Sequence, residues 1–311
     1  MTTRILVTGA SGLIGRHVAS ALVRAGVEVY ACGRTAQGVQ LAGVIWLTAD
    51  LLSREHVTNL VADVSPHIVV HCAWYTEHGK YWTAPENADW VAASVFLAQE
   101  AYSRGAFGFV GVGTGAEYAP DAPSPLSEFT SRIGPDTVYG LAKDETRRAI
   151  EALAGSLGRS FAWARVFMLY GDGEHPARLV ASLCRSLVKH ETAKLSSGKA
   201  IRDFMHVRDV GAAIAALALS DVRGCVNVGS GHSAPISLIA KKLAILSKHP
   251  QLLAIGALPD RPNEPAASFP DVSRLRDEIG FRPLFSLDEG LESAFEYWRS
   301  QENPVGSGSV K

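Results

Sequence analysis

The sequence has few of the features that mark metal-binding, disulfide-rich or strongly basic proteins. Only four of its 311 residues are cysteines, and they are scattered along the chain at Cys32, Cys72, Cys184 and Cys225. They lack metal-ligand spacing and are typical of small buried side chains in a reducing compartment, so no metal site is expected. The 30 Lys and Arg residues are balanced by 31 Asp and Glu residues, which gives a formal net charge of -1. No overall attraction to nucleic acid or to an anionic membrane is therefore expected.

Long hydrophobic runs are also missing. The apolar stretch at 210–219 is too short to cross a bilayer, and its alanine content is typical of a core helix. The chain enters its first apolar strand within a few residues of Met1, so no signal peptide is expected. These features predict a cytoplasmic protein with no membrane partner.

What the chain does have is a regular alternation of strand-like and helix-like segments through its first half. Its hydrophobic content of 47% is ample for a large core. Strands are predicted at 5–8, 27–32, 44–47, 68–72, 107–113 and 161–166. Helices are predicted at 13–25, up to 64, at 85–103 and, capped by Asp136 or Thr137, up to 157. This order predicts an α/β fold with right-handed crossovers and a Rossmann-type, doubly wound parallel sheet.

The second half loses this alternation and is predicted to form a smaller lobe over the C-terminal edge of the sheet. Helices are predicted at 177–188, from 210, and from a capping box of Ser286 and Glu289 to 298, with extended segments at 201–207 and 224–228. We assign residues 1–166 and 201–230 to a dinucleotide-binding domain. Residues 167–200 and 231–302 are assigned to a C-terminal substrate-binding lobe, and 303–311 to a disordered tail.

A glycine-rich junction between the first strand and the first helix predicts dinucleotide binding. Gly9 permits a tight turn, Gly12 lets an anion approach bare backbone, and Gly15 lets the helix pack closely on the strand. The helix N-terminus offers free N–H groups and partial positive charge to a pyrophosphate. The intervening cofactor contacts would be Ser11, Leu13 and Ile14.

The end of the second strand favours NADP(H) over NAD(H). A carboxylate at this point would bind the ribose 2′-hydroxyl of NAD, but the position holds Gly33, and Arg34 follows it. A guanidinium suits a 2′-phosphate, although a loop arginine is also often a solvated surface charge. Asp50 and Leu51 are predicted near the adenine, and Ala73 at the point where the chain passes the cofactor.

Three residues suggest proton transfer. Tyr139 and Lys143 lie four residues apart on a predicted helix and so share one face, where the cation would lower the tyrosine pKa from about 10 toward neutrality. Such a phenol can exchange a proton with a substrate oxygen, while Lys143 can also hold the nicotinamide ribose. Thr114 ends the fifth strand and would bind the same oxygen, or else satisfy local backbone as a turn hydroxyl.

Taken together, these motifs resemble the extended short-chain dehydrogenase/reductase superfamily in its NAD-dependent epimerase/dehydratase branch. The glycine loop, Thr114, Tyr139 and Lys143 match the family's cofactor loop and catalytic triad. Residues 202–210, 227–231 and 261–264 match its later segments, so the resemblance covers nearly the whole chain. It implies a nucleotide-sugar substrate whose diphosphate is clamped by Arg202 and Arg261, with Arg178 as a third candidate. It also implies a homodimer formed through the helices near 85–103 and 137–157.

Departures from the family pattern reduce the number of reactions that the chain could catalyse. Gly115 and Ala116 stand where the sugar dehydratases have Asp-Glu and where the fucose-synthase type has its cysteine. Glu117 is offset by one residue, which on a strand end reverses its direction. Met168 replaces a family asparagine that contacts the nucleotide sugar. What remains is a triad that moves one hydride and one proton at one carbon.

Three functions stay open at this point. The leading one is NADPH-dependent reduction of a nucleotide-linked 4-keto-6-deoxyhexose, with the sugar against Trp74. The second is a nucleotide-sugar 4-epimerase with tightly held NAD, against which Gly33 and Arg34 argue. The third is a non-catalytic NADP-sensing protein, which would have no physical need for the intact triad.

Overall fold

The computed structural model describes residues 2–35 and 41–302, so the predicted tail at 303–311 lies outside the described residues. The strands are β1 (Arg4–Thr8), β2 (Glu28–Gly33), β3 (Val44–Thr48), β4 (Ile68–His71), β5 (Gly108–Thr114), β6 (Ser160–Val166), β7 (Met168–Tyr170), β8 (Ala193–Leu195), β9 (Ile201–His206), β10 (Gly224–Val228), β11 (Ser233–Pro235), β12 (Leu253–Ile255) and β13 (Ala267–Ser268). The α-helices are α1 (Gly15–Arg24), α2 (Arg54–Val64), α3 (Glu86–Ser103), α4 (Val138–Ser156), α5 (Leu179–Val188), α6 (Val207–Leu219), α7 (Ile236–Leu246) and α8 (Leu287–Glu302).

A seven-stranded parallel sheet forms the centre of the molecule, in the order β10-β6-β5-β4-β1-β2-β3. Side chains alternate between its two faces, so Ile5 and Val7 of β1 join one core cluster and Leu6 joins the other. Helices α1 and α6 cover the first face, and α2, α3 and α4 cover the second. The predicted α/β, doubly wound Rossmann-type sheet is confirmed.

The C-terminal half of the chain forms a second, smaller sheet. It has the order β11-β9-β13, with β7 also paired to β9. Helices α5, α7 and α8 form a separate core cluster in this part of the chain. Although 201–230 was assigned to the dinucleotide-binding domain, β9 pairs within the second sheet and only β10 joins the first. The division into domains stays a proposal.

The helix caps follow the sequence signals closely. Thr137, and not Asp136, caps α4, because its Oγ1 accepts a hydrogen bond from the Gly140 N–H at 3.0 Å. The predicted capping box of α8 is present, with Ser286 Oγ accepting from the Glu289 N–H and the Glu289 carboxylate accepting from Ser286. No helix in the described part of the chain is long and apolar enough to cross a membrane.

Candidate functional site

Two adjoining cavities lie along the C-terminal ends of the central strands, where open α/β sheets bind ligands. The first has a volume of about 310 Å³ and follows the loop after β1. The second has a volume of about 480 Å³ and lies beyond β5 and α4. Residues lining both are Ile14, Cys72, Trp74, Thr76, Leu169 and Arg178. The two cavities therefore form one continuous groove.

The glycine loop forms a tight cradle at the start of the first cavity. Gly9 has a φ of +65°, and a Cβ there would lie 2.6 Å from the Ala73 backbone nitrogen. A Cβ on Gly15 would lie 2.2 Å from the Gly9 carbonyl oxygen. Only backbone fits between β1, α1 and the end of β4, which is the geometry that a pyrophosphate at a helix N-terminus requires. The cradle thus fits a dinucleotide on steric grounds.

The first cavity brings together nearly all of the predicted cofactor residues. Its lining includes Gly9, Ser11, Gly12, Leu13, Ile14, Gly15, Arg34, Leu51 and Ala73. Asp50 is outside the lining, and its carboxylate instead accepts a hydrogen bond of 3.1 Å from the Leu52 N–H. In the structure, the Asp50 side chain therefore stabilises a local turn. Its contact with the adenine stays a prediction.

Packing explains the glycine at the end of β2. A Cβ at Gly33 would lie 3.0 Å from Cζ2 of Trp46 and 3.1 Å from Oγ of Ser11. An acidic side chain at this position would crowd both the indole and the glycine loop. Arg34 lies next to it and lines the first cavity.

Thr114, Tyr139 and Lys143 all line the second cavity. Lys143 is buried and donates a hydrogen bond of 2.9 Å from Nζ to the Val112 carbonyl of β5. Its Nζ also lies 3.7 Å from the ring centroid of Trp74, a cation–π distance. The predicted triad is therefore brought to one place, and Trp74 packs beside it.

The Tyr139 ring is held by other aromatic side chains. Tyr81, Trp82 and Trp74 each meet it edge-to-face, at centroid distances of 4.9, 5.6 and 6.5 Å. The Tyr139 N–H also donates a hydrogen bond of 3.1 Å to the Trp82 carbonyl. The loop after β4 thus fixes the orientation of the phenol.

The electrostatics of the triad differ from the expectation that Lys143 lowers the tyrosine pKa. Burial raises the pKa of Tyr139, helped by Tyr81 and Glu117, and a hydrogen bond with Thr114 and the charge of Arg178 only partly oppose it. Burial also lowers the pKa of Lys143 to about 7, against the opposing effect of Glu117. The prediction of a lowered tyrosine pKa is wrong for this structure, because desolvation of the buried phenol is the largest influence on its pKa.

The three arginines predicted for substrate binding differ in the groups that their guanidinium groups contact. All three line the second cavity. Arg202 is only 4% exposed and donates to the Ile201 and Pro265 carbonyls at 2.8 and 2.9 Å. It also forms an ion pair of 3.1 Å with Glu264. Arg178 and Arg261 face the cavity from two loops, so they are better placed than Arg202 to meet an anion.

Sequence reasoning missed the role of Glu117. Gly115–Glu117 forms one turn of 3-10 helix instead of continuing β5, and the carboxylate is fully buried against Arg165. It points away from the second cavity, as predicted, but because of this turn and not because of strand alternation. The available signal was the pair Gly111 and Gly113, which leaves space behind the strand.

No cluster of three or more His, Cys, Asp or Glu side chains suited to a metal ion occurs in residues 2–35 and 41–302. The histidine of β4, His71, is buried and hydrogen-bonds to Thr8 and Ser94 at 2.8 Å each.

Comparison with known proteins identifies the family to which this chain belongs. The model of the NAD-dependent epimerase/dehydratase family matches residues 5–229. The methionine adenosyltransferase 2 subunit beta of Rattus norvegicus is 32% identical over 180 residues, covering 55% of this chain and 48% of that protein. The UDP-glucuronic acid decarboxylase 1 of Arabidopsis thaliana is 26% identical over 321 residues, covering 96% of this chain and 70% of that protein. The chain thus spans about half the length of the first relative.

Solved structures share the whole fold. The UDP-glucose 4-epimerase of Thermotoga maritima, determined with UDP-glucose, has a TM-score of 0.85 and 23% identity and covers 96% of this chain and 99% of that one. The UDP-glucose 4-epimerase of Thermus thermophilus, a complex with NAD, has a TM-score of 0.82 at 24% identity, covering 96% and 99%. An NAD-dependent NDP-hexosamine 5,6-dehydratase of tunicamycin biosynthesis has a TM-score of 0.82 at 27% identity, covering 96% and 98%.

Proposed function

The chain belongs to the NAD-dependent epimerase/dehydratase family of extended short-chain dehydrogenases/reductases, a family of NAD-dependent enzymes, and we propose that it reduces the 4-keto group of a nucleotide-linked 4-keto-6-deoxyhexose with NADPH. The observation that carries the proposal is the composition of the reacting end of the groove. Thr114, Tyr139 and Lys143 lie together there, and the next two cavity-lining positions are Gly115 and Ala116. This set supplies one proton to one carbonyl oxygen and has no acid–base pair after Thr114 for water loss.

The chain's own residues divide the work as follows. When bound, NADPH supplies the hydride that reduces the carbonyl carbon. Tyr139 donates its proton to the carbonyl oxygen, so the hydride and the proton together convert the ketone to a hydroxyl. Thr114 would hydrogen-bond to that oxygen. Lys143 would bind the nicotinamide ribose and place its positive charge near the Tyr139 phenol. Because burial raises the pKa of Tyr139, the phenol is in the protonated form that a proton donor needs at neutral pH.

The other residues of the groove bind the two ligands. The cradle of Gly9, Gly12 and Gly15 would hold the cofactor pyrophosphate, and Arg34 its 2′-phosphate. Arg178 and Arg261 would bind the diphosphate of the nucleotide sugar, with Arg202 fixing the loop that carries Glu264. Trp74 would cover the sugar ring beside the triad.

Two alternatives rest on particular observations. A nucleotide-sugar 4-epimerase with tightly bound NAD uses the same triad, and two structural relatives carry that name. A non-catalytic NADP-binding protein is favoured by the relative that is a subunit of another enzyme. Gly33 and Arg34 argue against the first, and the complete triad argues against the second.

Parallel calorimetric titration of the purified protein with NADPH and NADH tests the proposal. We expect NADPH to bind at least about tenfold more tightly, a difference of about 1.4 kcal/mol, because Arg34 faces the 2′-phosphate. Arg34→Ala should remove the difference, while Arg24→Ala on the outside of α1 should leave it. Purification with bound NAD, or a preference for NADH, would favour the epimerase.

Turnover then separates the three functions. The proposed reductase consumes NADPH with 4-keto-6-deoxy sugar nucleotides, and Tyr139→Phe should lower kcat by about 10²–10⁴-fold. The matched variant Tyr81→Phe removes a neighbouring phenol and should retain most of the rate. Interconversion of C4 epimers without net cofactor use indicates the epimerase, and tight NADPH binding without either reaction indicates the binding protein.

We also propose a cytoplasmic homodimer. All four cysteines are free thiols, which suits a reducing compartment. Val138 and Leu141 at the start of α4 are 46% and 51% exposed, as apolar side chains at a helical interface would be in the separate chain. Light scattering during gel filtration tests the dimer, and Leu141→Glu should weaken it.

A further inference from the structure

The buried carboxylate of Glu117 has no direct contact with either cavity, yet it touches the strand that carries the catalytic groups. It is fully buried, and it is absent from the lining of the cavity that Gly115 and Ala116 face. Its Oε1 accepts hydrogen bonds from the Thr114 N–H at 2.8 Å and from Trp163 Nε1 at 2.9 Å. Its Oε2 accepts from Arg165 Nε at 2.7 Å. All three donors are fixed, so the carboxylate is held in one position.

The sequence of β5 makes room for this contact. A Cβ at Gly113 would lie 2.0 Å from Trp163 Nε1 and 2.3 Å from Glu117 Oε1. A Cβ at Gly111 would lie 2.2 Å from the Trp163 ring. The alternating glycines therefore let the indole and the carboxylate lie directly behind the strand end.

The end of β5 also contacts the catalytic residues on the side opposite Glu117. The Val112 carbonyl accepts the hydrogen bond from Lys143, and Thr114 lines the second cavity together with Tyr139. Glu117 thus fixes the main chain of Thr114 beside these groups. A movement of the carboxylate would shift the residue that orients the substrate oxygen.

The buried ion pair of Glu117 and Arg165 is not the most stable way to fill this space, because burying two charges costs desolvation free energy. Replacing a buried ion pair by apolar side chains of similar volume is often neutral or stabilising. Arg165 is 2% exposed and also donates to the Tyr118 hydroxyl at 3.3 Å, which in turn donates to Asn227 at 2.9 Å. Glu117, Arg165, Tyr118 and Asn227 therefore form one connected set of buried polar side chains.

We propose that Glu117 is a positioning residue, which fixes Thr114 from behind β5 and places a buried negative charge behind the strand end that Lys143 contacts. The role rests on the proposed function only in naming the reaction that it serves. The charged and titratable groups that act on Lys143 are Glu117, Cys72 and His71. Those that act on Tyr139 are Tyr81, Glu117 and Arg178.

A spectroscopic titration tests the charge without substrate or cofactor. Lys143 Nζ lies 3.7 Å from the Trp74 ring, so the ¹⁹F resonance of 5-fluorotryptophan at position 74 should report its ionisation. Trp74→Phe assigns the resonance, and Lys143→Met should abolish its titration. In the unmodified chain the midpoint is expected near the lysine pKa of about 7.

Removing the negative charge should move this midpoint to lower pH. Glu117→Gln keeps the shape of the side chain, and the expected shift is at least about one pH unit. Glu117→Gln combined with Arg165→Gln leaves no unpaired buried charge and should show the same direction where the single variant does not fold. Trp163→Phe removes one donor but no charge, and its midpoint should stay within about 0.3 units of the unmodified chain's.

Equal midpoints in the unmodified chain and in both Glu117 variants would overturn the proposal, as would a Trp74 signal that does not depend on Lys143. For an active enzyme, the alkaline limb of the rate profile should move to lower pH in Glu117→Gln, because both Lys143 and Tyr139 lose their protons more easily. A protein that lacks reductase activity but shows the shifted titration refutes the proposed function and leaves the role of Glu117 supported.

Discussion

At the scale of single residues, the cofactor loop shows how backbone geometry restricts sequence. Gly9 and Gly26 both have positive φ values, of 65° and 80°. A side chain at Gly9 would also overlap the Ala73 backbone, whereas a side chain at Gly26 would meet nothing within 4 Å. The two positions therefore separate conformational strain from steric overlap.

Alanine substitution at these positions should give unequal losses of stability. Gly26→Ala is expected to lower the free energy of unfolding by about 1–2 kcal/mol through the left-handed backbone alone. Gly9→Ala should cost about 1–3 kcal/mol more, because the added methyl overlaps main-chain atoms that have little room to move. Urea unfolding measures both, and equal losses would show that the junction of β1 and β4 is looser than the structure indicates.

Single-residue signals were the most readable part of the site. The glycine loop, Gly33, Arg34 and the triad are encoded locally, so sequence spacing predicted the positions that line the groove. The pairing of Arg202 with Glu264, 62 residues away, was not predictable, because it depends on how a loop returns to the second sheet. The buried pair of Glu117 and Arg165 was hidden because it depends on the pairing of β5 with β6 and on the 3-10 turn after β5.

At the scale of elements, the loop that leads into α5 carries a buried acid. Glu174 is 4% exposed, and its Oε2 has no hydrogen-bond partner among the described residues. Burial raises the pKa of its carboxyl from 4.5 to about 8, although Arg178 opposes the shift. The folded protein therefore keeps a proton that the unfolded chain releases between these two pH values.

This difference predicts how the loop responds to pH. A raised pKa in the folded state contributes stability that is complete below pH 4.5 and is lost as the pH rises through 8. Glu174→Gln removes this loss, so between pH 5 and pH 8 the variant should gain roughly 3–4 kcal/mol relative to the unmodified chain. Urea unfolding at both pH values measures the gain, and the exposed Glu191→Gln serves as the control. A pH-independent difference would contradict the buried, protonated carboxyl.

Element prediction succeeded where periodicity was long and failed where strands were short. The strands and helices of the central sheet follow apolar runs and cap signals, and their bounds differ from prediction by a few residues at most. Strands β7, β11 and β13 have two or three residues each, too few for a period to be visible. Helix α7 was missed although its buried face, Ile239, Ala240 and Leu243, follows helical spacing.

At the scale of the whole molecule, the groove links cofactor binding to global stability. The cradle joins β1, β4 and α1, which belong to both faces of the central sheet. A ligand that binds only the folded chain stabilises it by about 2.7 kcal/mol at one hundred times its Kd. NADPH at that concentration should raise the thermal midpoint by about 5 °C.

The comparison with NADH makes this prediction specific. At the same concentration NADH, bound about tenfold more weakly, should give roughly half the free energy of stabilisation. Arg34→Ala should bring the two thermal shifts together without lowering the midpoint of the ligand-free protein. Differential scanning fluorimetry measures all four values, and a larger shift with NADH would contradict the role of Arg34.

Fold class was the easiest property to predict, since alternation along the chain determines a parallel sheet. Which sheet receives a given strand was not, as β9 shows by pairing with β7, β11 and β13. The sheet that a short strand joins depends on the paths of the connecting loops, and the apolar pattern of the strand does not reveal these paths.

The contact between Gly33 and Trp46 has a consequence for how this protein can change. An acidic residue at position 33, the substitution expected to favour NADH, would place its Cβ 3.0 Å from the Trp46 indole and 3.1 Å from Ser11 Oγ. A smaller residue at position 46 would give this side chain room, but it would also loosen the packing behind β2.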